Sequence, residues 1–154
     1  MDTKTSGNIG DILVREGLIS EGQLDEARKE SQESTKSLAR ALVDLEIISE
    51  KVKLGILQKK LGIEIITLRN LRMDPQLASR IPKKLAVRHV AVPVRVDPDG
   101  LLVAMDDPSD LEAVDRLSAV ANMKIKTVLA PYKEIEQQLE KYPDEEDVKP
   151  TAPA

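Results

Sequence analysis

The stretch Ile9-Gly10-Asp11-Ile12-Leu13-Val14-Arg15-Glu16-Gly17-Leu18-Ile19-Ser20-Glu21 decides how the chain begins to fold, because it is met a second time. It returns 29 residues later as Leu38-Ala39-Arg40-Ala41-Leu42-Val43-Asp44-Leu45-Glu46-Ile47-Ile48-Ser49-Glu50. Leu13/Leu42, Val14/Val43, Ser20/Ser49 and Glu21/Glu50 are identical, and the other apolar positions stay apolar. Such a duplication points to two copies of one helical device. Asn8 reads as the N-cap of a short helix with Ile9, Ile12 and Leu13 on one face, ending at Gly17. Ser20-Glu21-Gly22-Gln23 has capping-box spacing and opens a second helix to about Glu33. The polar run Ser31–Ser37 reads as a loop. Ser37 then caps a helix over 38–45, and Ser49 caps a fourth that runs to Leu61 and stops at Gly62.

Beyond Gly62 the period changes. Ile63-Glu64-Ile65-Ile66-Thr67-Leu68 is β-branched and predicts a strand. Asp74-Pro75 is an N-cap followed by Pro at the first helical position, so 75–80 should be a short helix. Pro82 starts another, to about Val87. Strands are expected over 90–96 and 101–105, joined by the turn Asp97-Pro98-Asp99-Gly100. Ser109-Asp110-Leu111-Glu112 reads as a capping box opening a helix to Ala121. A strand over 124–129 and a helix from Pro131 to Lys141 complete the chain. The expected fold class is α/β in the α+β sense: an N-terminal four-helix unit, then a small sheet with helices packed against it. The expected divisions are a disordered terminus at 1–7, a helical repeat unit at 8–62, an α/β unit at 63–142 and an acidic, Pro-containing linker or tail at 143–154.

Composition narrows the function. With no Cys there is neither a disulfide framework nor a thiolate metal site. No apolar run is long enough to span a bilayer, and residues 1–7 are polar, so the reading is a cytoplasmic protein. Basic and acidic groups number 10 and 11 over 1–62, 12 and 12 over 63–142, and 1 and 4 over 143–154. A balanced body with two Tyr, no Trp and no Phe lacks both the basic footprint and the stacking platforms of a nucleic-acid binder.

Catalysis finds no support. His89 is the only histidine, and no nucleophile elbow, HExxH or P-loop motif occurs. Asp106-Asp107 offers adjacent carboxylates at a strand end, but a Mg²⁺ site needs further ligands, and a loop or capping role fits them better. Arg69, Arg72, Arg80, Lys83, Lys84 and Arg88 form a basic cluster with Asp74 as the acid within it. It is either a solvated face or a docking patch for an acidic partner. The repeated apolar positions fit a core, while Gly10 inside a helix, at about 1 kcal/mol against alanine, fits close approach of a ligand or a neighbouring helix.

The repeated segment resembles the N-terminal domain of type II secretion and type IV pilus assembly ATPases. Ile81-Pro82 with its basic helix, Val92-Pro93-Val94, Leu101–Pro108 and Tyr142 are similar to that domain's continuation, so the likeness covers about 8–142. It implies a non-catalytic regulatory or docking module, without the motor core, that binds the cytoplasmic domain of an inner-membrane platform and is recruited to that membrane. It implies neither nucleic-acid binding nor membrane insertion, and no metal or cofactor.

In the MshE-type branch two tandem motifs, R-L-G-x-x-L-V-x-x-G-L-L-x-x-x-x-L-x-x-x-L-x-x-Q, bind cyclic di-GMP, which makes that nucleotide the alternative ligand. The corresponding residues are Asn8, Ile9, Gly10, Leu13, Val14, Gly17, Leu18 and Ile19 in the first copy, with Leu24 also fitting. In the second copy they are Leu38, Ala39, Leu42, Val43, Ile47 and Ile48, with Leu57 also fitting. The polar groups depart from the pattern. Asn8 and Ser37 stand for arginine, Ser31 and Lys60 for glutamine, Arg28 and Lys53 for leucine, and Ala39 and Glu46 for glycine. The apolar frame is kept, and the frame alone suffices for a scaffold.

Overall fold

In the computed structural model, residues 9–143 are described. The proposed cap at Asn8, the segment 1–7 and residues 144–154 lie outside them. The four N-terminal helices are α1 (Ile9–Arg15), α2 (Glu21–Ser34), α3 (Leu38–Asp44) and α4 (Glu50–Leu61). Their starts are local events. Ser20 accepts a hydrogen bond from Gln23 N at 3.1 Å, and Gln23 Oε1 accepts from Ser20 N at 2.9 Å. Ser37 and Ser49 accept from Arg40 N (3.0 Å) and Val52 N (3.1 Å). The loop expected at Ser31–Ser37 is shorter than its polarity suggested. α2 continues to Ser34, and Thr35 ends it in the left-handed conformation, donating to Ser31 O.

The two repeats turn in the same way. Leu18 N donates to Leu13 O and Gly17 N to Val14 O; Ile47 N donates to Leu42 O and Glu46 N to Val43 O. This is the two-bond Schellman termination, with a left-handed residue after the helix. Gly17 supplies it at φ 76°, and Glu46 adopts it at φ 62° although it is not glycine. The apolar frame packs together, with Leu129 from the second part joining it. Ile9, Leu13, Ile19, Leu24, Ala27, Ala39, Leu42, Ile48 and Leu57 form one buried cluster.

The second part holds α5 (Pro75–Ala78), α6 (Lys83–His89), β1 (Ala91–Asp97), β2 (Gly100–Met105), α7 (Leu111–Ala121), β3 (Ile125–Leu129) and α8 (Tyr132–Glu140). The sheet order is β1-β2-β3. β1 and β2 are antiparallel, with Val94 the extra residue of a bulge, and β2 and β3 run parallel around α7. Gly100 starts β2 at φ 154°, where a Cβ would lie 2.7 Å from the Lys124 carbonyl oxygen. Only glycine fits there.

Two expectations are corrected. Ile63–Leu68 is not a strand: it makes one parallel bridge, Ile65 to Leu129. Its backbone pairs with Leu129 only at Glu64 and Ile66, and at its end Glu134 Oε1 accepts from Leu68 N at 2.7 Å and from the Thr67 hydroxyl at 3.1 Å. The α7 cap is Asp110, which accepts from Ala113 N at 3.2 Å. Ser109 instead gives its hydroxyl and its N–H to Asp107.

Candidate functional site

The two parts meet at a buried ionic cluster. Lys53 on α4 is fully buried, Asp106 at the end of β2 likewise, and Arg40 on α3 is nearly so. Asp106 Oδ1 accepts a short hydrogen bond from Lys53 Nζ and another from Arg40 Nη1 at 3.2 Å. Glu50, the last residue of the second repeat, accepts from Arg40 Nη2 at 3.3 Å and from Tyr132 N at 2.8 Å, with Lys53 Nζ 3.3 Å away. The Arg40 guanidinium lies 3.8 Å over the Tyr132 ring. Charges out of water need such partners. Burial pushes the Asp106 carboxyl above the ordinary aspartate range, and Lys53 and Arg40 pull it back.

Asp106-Asp107 is thus structural. The second carboxylate turns into the loop, held by Ser109, and burial raises its pKa. Among the described residues no group of three or more His, Cys, Asp or Glu is placed to hold a metal. His89 ends α6 half-buried, its Nε2 without a hydrogen-bond partner, and burial lowers its pKa.

Beside the cluster a surface cleft of about 380 Å³ opens, lined by Thr35, Lys36, Arg40, Asp44, Lys84, Val87, Arg88, Val90 and Tyr132. Four cations face one carboxylate there. Lys36 is held by Asp44 (2.7 Å) and Glu30 (3.4 Å). Lys84 and Arg88 are exposed on α6 and have no ion pair with any described residue.

The repeat residues are mostly the frame of the helical unit. Ile9, Gly10, Leu13, Ile19, Ala39, Leu42 and Ile48 are buried. Val14, Leu38, Val43 and Ile47 are partly so and pack against that core. Gly17 and Leu18 are exposed, and Leu18 stands out at 52 %. The basic cluster is not one patch. Arg69 lies 3.4 Å from Glu134, an acid outside the cluster. Arg72 and Arg80 line a different cleft from Lys84 and Arg88. Arg40, Lys53 and Tyr132 went unassigned at the level of sequence. The signal was Lys53 itself, a charge at a leucine position of the repeat, which demands a buried partner.

The comparisons bear on this architecture. The MshEN domain model matches residues 61–149. The chain is 37% identical over 137 residues to the type IV pilus assembly ATPase PilB of Myxococcus xanthus, which covers 89% of this chain and 24% of that protein. The PilB ATPase of Thermus thermophilus is 25% identical over 126 residues, 80% of this chain and 14% of its own length. The chain therefore spans about a quarter or less of these relatives. A structure described as MshE with cdg superposes with TM-score 0.62 and 30% identity, covering 88% of this chain and 99% of that one. The N-terminal domain of XpsE superposes with TM-score 0.70 at 20% identity, covering 92% and 98%, which establishes the shared fold. No helix among the described residues is long and apolar enough to cross a membrane. The solved structure matched over nearly its whole length is an N-terminal domain. On family model and relatives together, the chain belongs to the MshEN domain family.

Proposed function

We propose that the domain is a cytoplasmic docking module of a pilus-assembly or type II secretion motor, engaging the cytoplasmic domain of an inner-membrane platform protein. The observation behind this reading is the pair Lys84 and Arg88 on α6, four residues apart, exposed and unpaired among the described residues. Like charges at that spacing repel across one helix face, and an acidic partner removes the repulsion. α6 itself is held by the core of the sheet, to which Ala86 belongs. Lys84→Glu combined with Arg88→Glu should abolish capture of the purified platform domain while leaving the thermal midpoint unchanged. Capture at the wild-type level would end the α6 reading.

A second reading has its own support. The neighbour with 30% identity was solved with cdg, and the cleft beside Arg40 offers four cations and the Tyr132 ring. Under it, the domain binds cyclic di-GMP, with Lys84 and Arg88 on the phosphates in place of the missing motif arginines. Isothermal titration with cyclic di-GMP should then give micromolar binding. Arg88→Ala should weaken it by the worth of one charge-assisted bond, about 1.5–3 kcal/mol. No heat at high concentration of both components would remove this reading and leave the first.

A further inference from the structure

The two edges of the small sheet are treated differently. Outside β3 the chain closes the edge: Ile65 bridges to Leu129, Ile66 N donates to Leu129 O, and Leu129 N donates to Glu64 O, each at 2.8 Å. Among the described residues no strand lies outside β1, and Val94, Arg95 and Val96 have no backbone hydrogen bond to anything but β2. A second cleft, of about 370 Å³, runs there between α5 and the strand, lined by Arg72, Asp74, Gln76, Leu77, Arg80, Val94, Arg95 and Val96. Successive residues of a strand point to opposite faces. Past the bulge at Val94, a cleft touched by both Arg95 and Val96 therefore follows the strand's edge.

We propose that this cleft is a docking site for a short, extended, acidic segment of a partner protein, laid along the open edge of β1. The proposal rests on the docking reading above and gives it a second place and a chemistry. Arg72 and Arg80, from the segments before and after α5, are exposed and have no ion pair with a described residue. Arg95 is tied to Asp97 at 2.8 Å, and the one carboxylate in the cleft, Asp74, is used to cap α5 through Gln76 N at 2.9 Å. The unanswered charge is therefore positive. Leu77, Val94 and Val96 supply apolar contact between the arginines, and Val96 is 49 % exposed. An extended peptide that alternates acidic and β-branched residues matches this surface, with main-chain bonds for affinity and the arginines for selectivity. Pro93 and the bulge at Val94 interrupt the edge on its N-terminal side. Those devices prevent a whole sheet from adding, which selects a short segment over a second copy of this chain.

The test uses the full 154-residue chain, ¹⁵N-labelled, titrated with a short peptide alternating glutamate and valine and with its glutamine-for-glutamate counterpart. The expected result is shifts of the Val94, Arg95 and Val96 amides with the acidic peptide and none with the neutral one. Arg72→Glu with Arg80→Glu should weaken binding at least about ten-fold with an unchanged thermal midpoint. The single changes Arg72→Ala and Arg80→Ala should each do so in part. Shifts centred on Lys84 and Arg88 would overturn the β1 site while sparing the docking reading. Shifts that depend on protein concentration without peptide would assign the edge to self-association and overturn it too. Absence of any shift overturns it outright. If the platform domain also fails to bind wild-type protein, the docking reading falls with it.

Discussion

At the scale of single residues, the repeat shows a fold outlasting its sequence. Gly17 and Glu46 occupy the same turn, both left-handed, at φ 76° and 62°. For an L-residue with a Cβ that conformation costs roughly 1–2 kcal/mol, part of which glycine returns through a freer unfolded chain. Glu46→Gly should therefore stabilise the domain by a net of about 0.5–1 kcal/mol in urea denaturation; a loss of stability would mean that the Glu46 side chain contributes more than the strain. Asp107 makes a pH prediction. Burial raises its folded-state pKa, so the native state keeps its proton to higher pH than the unfolded chain does. Stability from this group is then greatest below the ordinary aspartate value of about 3.9. It falls as pH rises from there through the raised folded pKa. Asp107→Asn, which keeps the acceptor for Ser109 N, should raise the thermal midpoint more at pH 7 than at pH 4. An equal shift at both would show that Asp107 titrates alike in the two states.

At the scale of elements, α3, α4 and the end of β2 are joined by Arg40, Lys53 and Asp106. Removing one partner of a buried pair costs on the order of 3–5 kcal/mol, whereas replacing the pair by apolar side chains is often neutral. Lys53→Leu, which restores the apolar residue of the repeat, should cost about 3 kcal/mol alone. Combined with Asp106→Leu it should recover most of that. Chemical denaturation of the two variants decides the matter, and equal losses in both would show that the pair itself stabilises the seam. The repeat period could not reveal this, because it marks Lys53 as facing the core without saying what waits there. Elements were otherwise legible where their cause is local. Ser20, Ser37, Ser49 and Asp74 cap the helices they were expected to cap. Ile63–Leu68 pairs only around Ile65, and Glu134, far along the chain, takes the Leu68 N–H at its end.

At the scale of the whole molecule, two apolar cores meet at one strand end. Val128 and Ala130 belong to the core of the sheet, while Leu129 between them is buried among the helices. Leu129→Ala should cost about 2–5 kcal/mol and lower the unfolding midpoint of both parts together, as seen by far-UV circular dichroism and by tyrosine fluorescence in a Tyr132→Phe background. Separate transitions in the wild-type chain would show that the seam does not couple them. Tyr142 is a fitting reporter because its hydroxyl donates into the core, to Ile81 O at 2.6 Å, and burial raises its pKa. The basic residues show the limit of reading along the chain. Arg69 to Arg88 are near neighbours in sequence, but the fold gives Arg69 to Glu134, Arg72 and Arg80 to the β1 edge, and Lys84 and Arg88 to the seam. By itself the sequence determined the repeated helical device, its caps and turns, the apolar frame and the absence of catalytic motifs, because each depends on residues a few positions apart. Only the tertiary structure decided which charges are buried as partners and which are left facing the two clefts, since that depends on which distant carboxylate each cation meets.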